Sequence, residues 1–137
     1  TDKRSIAADD YFQGMFTTAL ADDEIIIRVE LPVPAKAGYA KFANPASRYA
    51  MAGVFVAKAA DGSVRVAVTG AGSDGVFRWS EAEEALREGF DAAALEGLTP
   101  DPEAMIADLN GDGDYRAHLC AVMTRAAMGA PGRAVIR

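Results

Sequence analysis

Gly53–Ala59 (GVFVAKA) and Ser63–Thr69 (SVRVAVT) stand on either side of Asp61-Gly62. Two valine-rich runs around Asp-Gly read as a β-hairpin, because that dipeptide tolerates the positive φ angles of a tight turn. Working outward, Gly38–Ala43 (GYAKFA) forms a further strand, broken by Asn44-Pro45. In a regular strand Tyr39, Lys41 and Ala43 share one face, and Ala40 and Phe42 the other. Glu24–Leu31 (EIIIRVEL) is rich in β-branched residues and predicts another strand, ended by Pro32 and Pro34. Gly75–Trp79 predicts a last short one. After Trp79 the hydrophobic period changes. Ser80 with Glu83 three residues on reads as a capping box, followed by Ala82, Ala85, Leu86 and the stop Gly89. Asp101-Pro102 opens a second helix, with Ala104, Met105 and Leu109 on its apolar side. Asp114–Met128 is the clearest helix, with Tyr115, Leu119, Val122, Met123 and Ala126 at helical spacing. Strands first and helices afterwards predict an α+β fold.

The 137 residues suffice for one domain with one core, and neither a repeat nor a long linker divides them. Alanine supplies 29 of them, so small side chains carry much of the packing. A net charge of −6 argues against nucleic acid or an anionic membrane as partner. No apolar run approaches the roughly 18–20 residues of a membrane span. The one cysteine, Cys120, forms no internal disulfide, which suits a reducing compartment, and the one histidine, His118, leaves few catalytic triads to consider.

Three segments resemble sites. Asp108, Asn110 and Asp112, with Gly113 at the sixth position, match the first half of a calcium loop. The second half fails, with Arg116 at position nine and Leu119 where a bidentate glutamate belongs. The competing expectation is a polar loop ending in Asp114 as the cap of the last helix. Gly70–Gly75 spells G-x-G-x-x-G after a strand, but extended sequence follows it, which fits a strand-to-strand connection better than a dinucleotide cradle. His118 has Asp114 one turn earlier. No nucleophile accompanies the pair, so a hydrogen-bonded structural histidine is expected.

Taken together, several blocks resemble a known family. Arg4–Leu20 (RSIAADDYFQGMFTTAL), Asp23–Ile26, Leu31-Pro32, Gly38–Phe42, Tyr49-Ala50, Ala82-Glu83 with Ala85-Leu86, and Asp114–Leu119 with Arg125-Ala126 occur in one order and spacing. In these blocks the chain resembles the C-terminal domain of the FAD-binding medium subunit of molybdenum hydroxylases, the carbon monoxide dehydrogenase and xanthine dehydrogenase group. The resemblance covers nearly the whole chain.

The resemblance implies three to four antiparallel strands packed on a layer of about three helices. It implies that residues 1–137 are a single domain without the preceding FAD-binding domain, whose glycine-rich loops have no counterpart here. The isolated domain is then expected to be inactive and to hold no cofactor. Within the intact, cytoplasmic enzyme the family assembles a molybdenum-containing large subunit, an iron–sulfur small subunit and the medium subunit. Electrons pass from the iron–sulfur clusters to FAD and on to an external acceptor. The C-terminal domain closes one side of the isoalloxazine pocket, with the position of Lys41 on the flavin side; the competing reading is a strand lysine with its head in water, and Tyr39 is expected to pack either on the flavin or in the core. Arg48 stands where relatives commonly carry an acidic residue. The alternative from another class is a non-enzymatic calcium-dependent binding module built on Asp108–Asp114. An exposed apolar surface at Tyr11, Phe12, Met15 and Phe16 is also expected.

Overall fold

The computed structural model describes residues 3–129 and 132–136. A one-turn helix α1 (Ala8–Tyr11) leads into a small hairpin of β1 (Phe12–Gly14) and β2 (Thr17–Thr18). The main strands are β3 (Lys36–Ala43), β4 (Ala50–Lys58), β5 (Val64–Gly72) and β6 (Gly75–Arg78). Helices α2 (Ser80–Glu88) and α3 (Gly113–Gly129) follow, with β7 (Gly132–Ile136) last. The main sheet has the order β6-β5-β4-β3-β7, antiparallel from β6 to β3, with β7 added parallel to β3. The α+β architecture is therefore the one that the change of period implies.

The β4–β5 hairpin is the centre of the molecule. Its register pairs Val54 with Val68 and Val56 with Val66, and Ala40 of β3 sits opposite Val54. All five are essentially inaccessible and face α2 and α3. Alternation sends Tyr39, Lys41, Gly53, Phe55, Ala67 and Thr69 to the opposite face, which no helix covers among the described residues. The glycine run is a β5–β6 hairpin, with Gly72 paired to Gly75. Gly70 lies at φ +79, where a Cβ would stand 2.2 Å from the Ala50 carbonyl oxygen.

Several local expectations are corrected. Glu24–Leu31 is not a strand: it is irregular, and no strand pairs with it among the described residues. Its β-branched residues have the right propensity but no ladder to join, and Ile25 and Leu31 are about four-fifths exposed (81% and 82%). The segment is tethered at its start, where Arg4 donates to both Glu24 carboxylate oxygens. That guanidinium holds the Glu24 carboxyl down at about 2. The Asp101-Pro102 helix is a single 3₁₀ turn, Pro102–Ala104. Beyond it the Ile106 N–H donates to the Ala71 carbonyl at the end of β5, so the chain runs extended and Leu109 points into solvent. Ser80 and Glu83 form no capping box. Trp79 occupies the cap without a side-chain bond, and Glu83 turns inward to accept from the Val66 N–H and from Arg78.

The buried stripe of α3 is Arg116, Ala117, Cys120, Ala121, Met123, Thr124 and Ala127, together with Leu119. Tyr115 is 41% exposed, and Val122 and Ala126 are half-buried, so these three lie at or beyond the edge of the stripe. Small residues let α3 lie close to β3 and β4. Burial pushes the Cys120 thiol up to about 12, against the opposing pull of the Arg116 charge. At the N-terminus Phe12 and Met15 are exposed and Phe16 fully so, whereas Tyr11 is half-buried.

Candidate functional site on the open face of the sheet

Strand β3 holds Tyr39 and Lys41 two residues apart, so the pleat puts both on the uncovered face. Across the register Tyr39 faces Phe55, and Lys41 faces Gly53. A Cβ at Gly53 would lie 2.7 Å from the Tyr39 hydroxyl oxygen and 3.1 Å from Thr69 Cγ2. The missing side chain at Gly53 is therefore what lets the phenol end lie across β4. Glycine inside a strand commonly marks such a close approach. That signal was readable in the sequence and points to Gly53 as part of the site.

The Lys41 ammonium does not swing free. Its Nζ donates to the Arg48 carbonyl at 3.0 Å. Arg48 has φ 63, a left-handed conformation for a residue with a side chain, and it closes the turn between β3 and β4. The result is a half-buried cation anchored on a sheet face that it shares with Tyr39, Gly53 and the exposed Phe55. Two concavities lie away from this face, one of about 260 Å³ beside Trp79 and Pro100 and one of about 410 Å³ beside Phe90 and Met128.

The calcium-like loop has a different organisation. Asp108 Oδ2 accepts from Arg116 Nη2 at 2.8 Å, and Asp108 Oδ1 accepts from the Asn110 N–H. These bonds lower the Asp108 carboxyl below its usual range. Asp112 Oδ1 accepts from the Tyr115 N–H at 2.8 Å, so Asp112, not Asp114, caps α3. Asn110 Oδ1 accepts from Asn44 Nδ2. The three side chains thus serve three different partners, and no group of three acidic, histidine or cysteine side chains able to hold a metal occurs among the described residues. His118 is exposed on the outer side of α3 rather than buried and satisfied.

Arg116 is the residue that helical spacing missed. It is 4% exposed. Its Nη1 donates to the Met51 and Gly70 carbonyls at 3.0 and 3.1 Å, so one guanidinium ties α3 to β4, β5 and the 108–112 loop.

No protein-family model matches the chain. It is 33% identical over 136 residues to the nicotine 6-hydroxylase medium subunit of Paenarthrobacter nicotinovorans, covering 90% of this chain and 46% of that protein. It is 26% identical to the carbon monoxide dehydrogenase medium chain of Hydrogenophaga pseudoflava, over 93% and 48% of the two. The structure superposes on a chain of the reconstituted CO dehydrogenase from Oligotropha carboxidovorans with a TM-score of 0.72 and 26% identity. That match covers 92% of this chain and 48% of the other. The chain spans about half the length of the relatives it matches.

Proposed function

We propose that this chain, homologous over nine-tenths of its length to the medium subunits of carbon monoxide dehydrogenase and nicotine 6-hydroxylase, is the C-terminal domain of such a flavoprotein subunit. Its parent would be a cytoplasmic molybdenum hydroxylase with a molybdenum-containing large subunit, an iron–sulfur small subunit and an FAD-binding domain in the same subunit. Among the described residues no helix is long and apolar enough to cross a membrane.

The observation that carries the reading is the anchored cation on an uncovered sheet face. This arrangement fits the edge of an isoalloxazine ring. The Gly70–Gly75 run offers no pyrophosphate cradle, because it closes a hairpin and the space at Gly72 is filled by Phe77 and the Gly75 carbonyl. FAD bound against the face would accept and pass on electrons, and its reduced form carries negative charge on the N1–C2=O edge. Lys41 would stabilise that charge electrostatically. The Arg48 carbonyl holds the ammonium in place before the charge appears, so little reorganisation is needed. The Tyr39 hydroxyl lies against Gly53 of β4, the residue across from Lys41.

The test is a redox titration of FAD in the intact parent subunit with Lys41→Ala. A cation at ~4 Å with an effective dielectric near 20 contributes at most about 4 kcal/mol, and solvent screening on an open face reduces this to about 1 kcal/mol. For a two-electron couple that corresponds to a drop of about 20 mV. An unchanged potential would make Lys41 an ordinary strand lysine.

A further inference from the structure

The Asp108–Asp112 loop, which the flavin reading leaves unused, makes one contact across the molecule toward the Lys41 face. Asn110 Oδ1 accepts from Asn44 Nδ2 at 3.0 Å, joining residues 66 apart in the chain. Asn44 is the residue around which the turn after β3 is built. Its Oδ1 accepts from the Ala46 and Ser47 N–H groups at 2.9 and 3.1 Å. Its own N–H donates to the Tyr49 carbonyl at 2.7 Å, and its carbonyl accepts from the Arg48 N–H at 2.9 Å. That turn delivers the Arg48 carbonyl to Lys41 Nζ.

Asn110 is held from the other side as well. Its N–H donates to Asp108 Oδ1, Asp108 and Gly111 exchange two backbone hydrogen bonds, and Asp108 Oδ2 receives the buried Arg116. A continuous path of contacts therefore runs from the core of α3 to the ammonium on the sheet face. The turn it supports contains Arg48 in a left-handed conformation, which is unfavourable for a residue with a side chain and persists only where the surroundings fix it.

We propose that Asn110 is a positioning residue: through Asn44 it pins the β3–β4 turn to α3 and so fixes where the Lys41 ammonium stands. The half-motif that resembles a cation loop acts as a strut for a cation that the chain already carries. The link to flavin chemistry rests on the reading of Lys41 given above, whereas the strut itself does not.

The experiment measures acylation of individual lysines in the folded chain by mass spectrometry, with Lys36 and Lys58 as internal references. Asn110→Ala should speed labelling of Lys41 roughly two- to fivefold, the population change that one lost hydrogen bond produces, and leave Lys36 and Lys58 unchanged. Asn110→Asp should label as wild type does, since a carboxylate oxygen stands where the amide oxygen accepted. Wild-type labelling of Lys41 in Asn110→Ala, or loss of rescue by Asn110→Asp, would overturn the proposal. A second arm uses the flavin potential of the parent subunit. Faster labelling in Asn110→Ala, with no change of potential in Lys41→Ala, upholds the strut and removes the flavin reading. A lowered potential in Lys41→Ala, with neither labelling nor potential moved by Asn110→Ala, removes the strut alone.

Discussion

Replacing Arg116 by methionine separates the work of its guanidinium from that of its aliphatic stem. The stem volume is largely kept, but the Met51 and Gly70 carbonyls lose their shared donor. Each unsatisfied buried acceptor costs about 1–3 kcal/mol. Removing the charge returns part of its desolvation cost, and this matters here because Arg116 Nε is buried without a partner. The ion pair to Asp108 adds less than about 1 kcal/mol, since that carboxylate is 40% exposed. The balance is a loss of about 3 kcal/mol. For a chain of 137 residues this lowers Tm by about 10 °C. Trp79, the sole tryptophan and 2% exposed, supplies a fluorescence signal for urea titration. The midpoint should fall with an unchanged slope, as expected when stability alone changes. Asp108→Asn should cost under about 1 kcal/mol. An Arg116→Met loss below about 1 kcal/mol would mean that water satisfies the two carbonyls, and the cross-tie would then be dispensable.

Three further outcomes are expected. Gly70→Ala should cost at least about 2 kcal/mol, because its Cβ meets a backbone oxygen at a positive φ. Gly53→Ala should cost less, since its nearest obstacle is the movable Tyr39 hydroxyl; equal losses in denaturation would contradict this ranking. Burial alone would raise the Glu83 carboxyl, but Arg78 and the Val66 N–H outweigh it and hold the carboxyl below its ordinary 4.5. A depressed carboxyl stabilises the fold above its unfolded value, and that contribution disappears as pH falls through the lower folded value. Glu83→Gln should therefore lower stability at neutral pH and flatten the decline below about pH 4.5; stability curves parallel to wild type would refute the assignment.

The hairpin around Asp61-Gly62 was legible because alternation, β-branching and turn chemistry all agree there. Tyr39 and Lys41 were legible as a pair for the same reason: the pleat leaves no other choice. Glu24–Leu31 was misread because propensity describes a residue's fitness for a ladder, not the presence of a neighbouring strand. On helix α3 the spacing placed Leu119 and Met123 correctly in the buried stripe, but Tyr115, Val122 and Ala126 lie at or beyond its edge. In the structure Cys120, Thr124, Ala127 and a hydrogen-bonded arginine form the contact face, and larger Tyr115 lies outside it. Ser80 and Glu83 had cap spacing, yet the carboxylate found a stronger partner in Arg78, which only tertiary structure brings near. The Asn44–Asn110 contact has no local signature at all, since nothing in the sequence around either asparagine marks the other, 66 residues away, as its partner.

The burial of Cys120 gives the chain a built-in clock. With the thiol pushed up to about 12, roughly one folded molecule in ten thousand carries a thiolate at pH 8. In the unfolded chain roughly a quarter would. Cys120 is also 0% exposed, so a thiol-specific reagent has no path to the sulfur until the chain opens far enough to release α3 from the sheet. Because there is a single cysteine, the rate of colour development counts those openings directly, in native buffer and without denaturant.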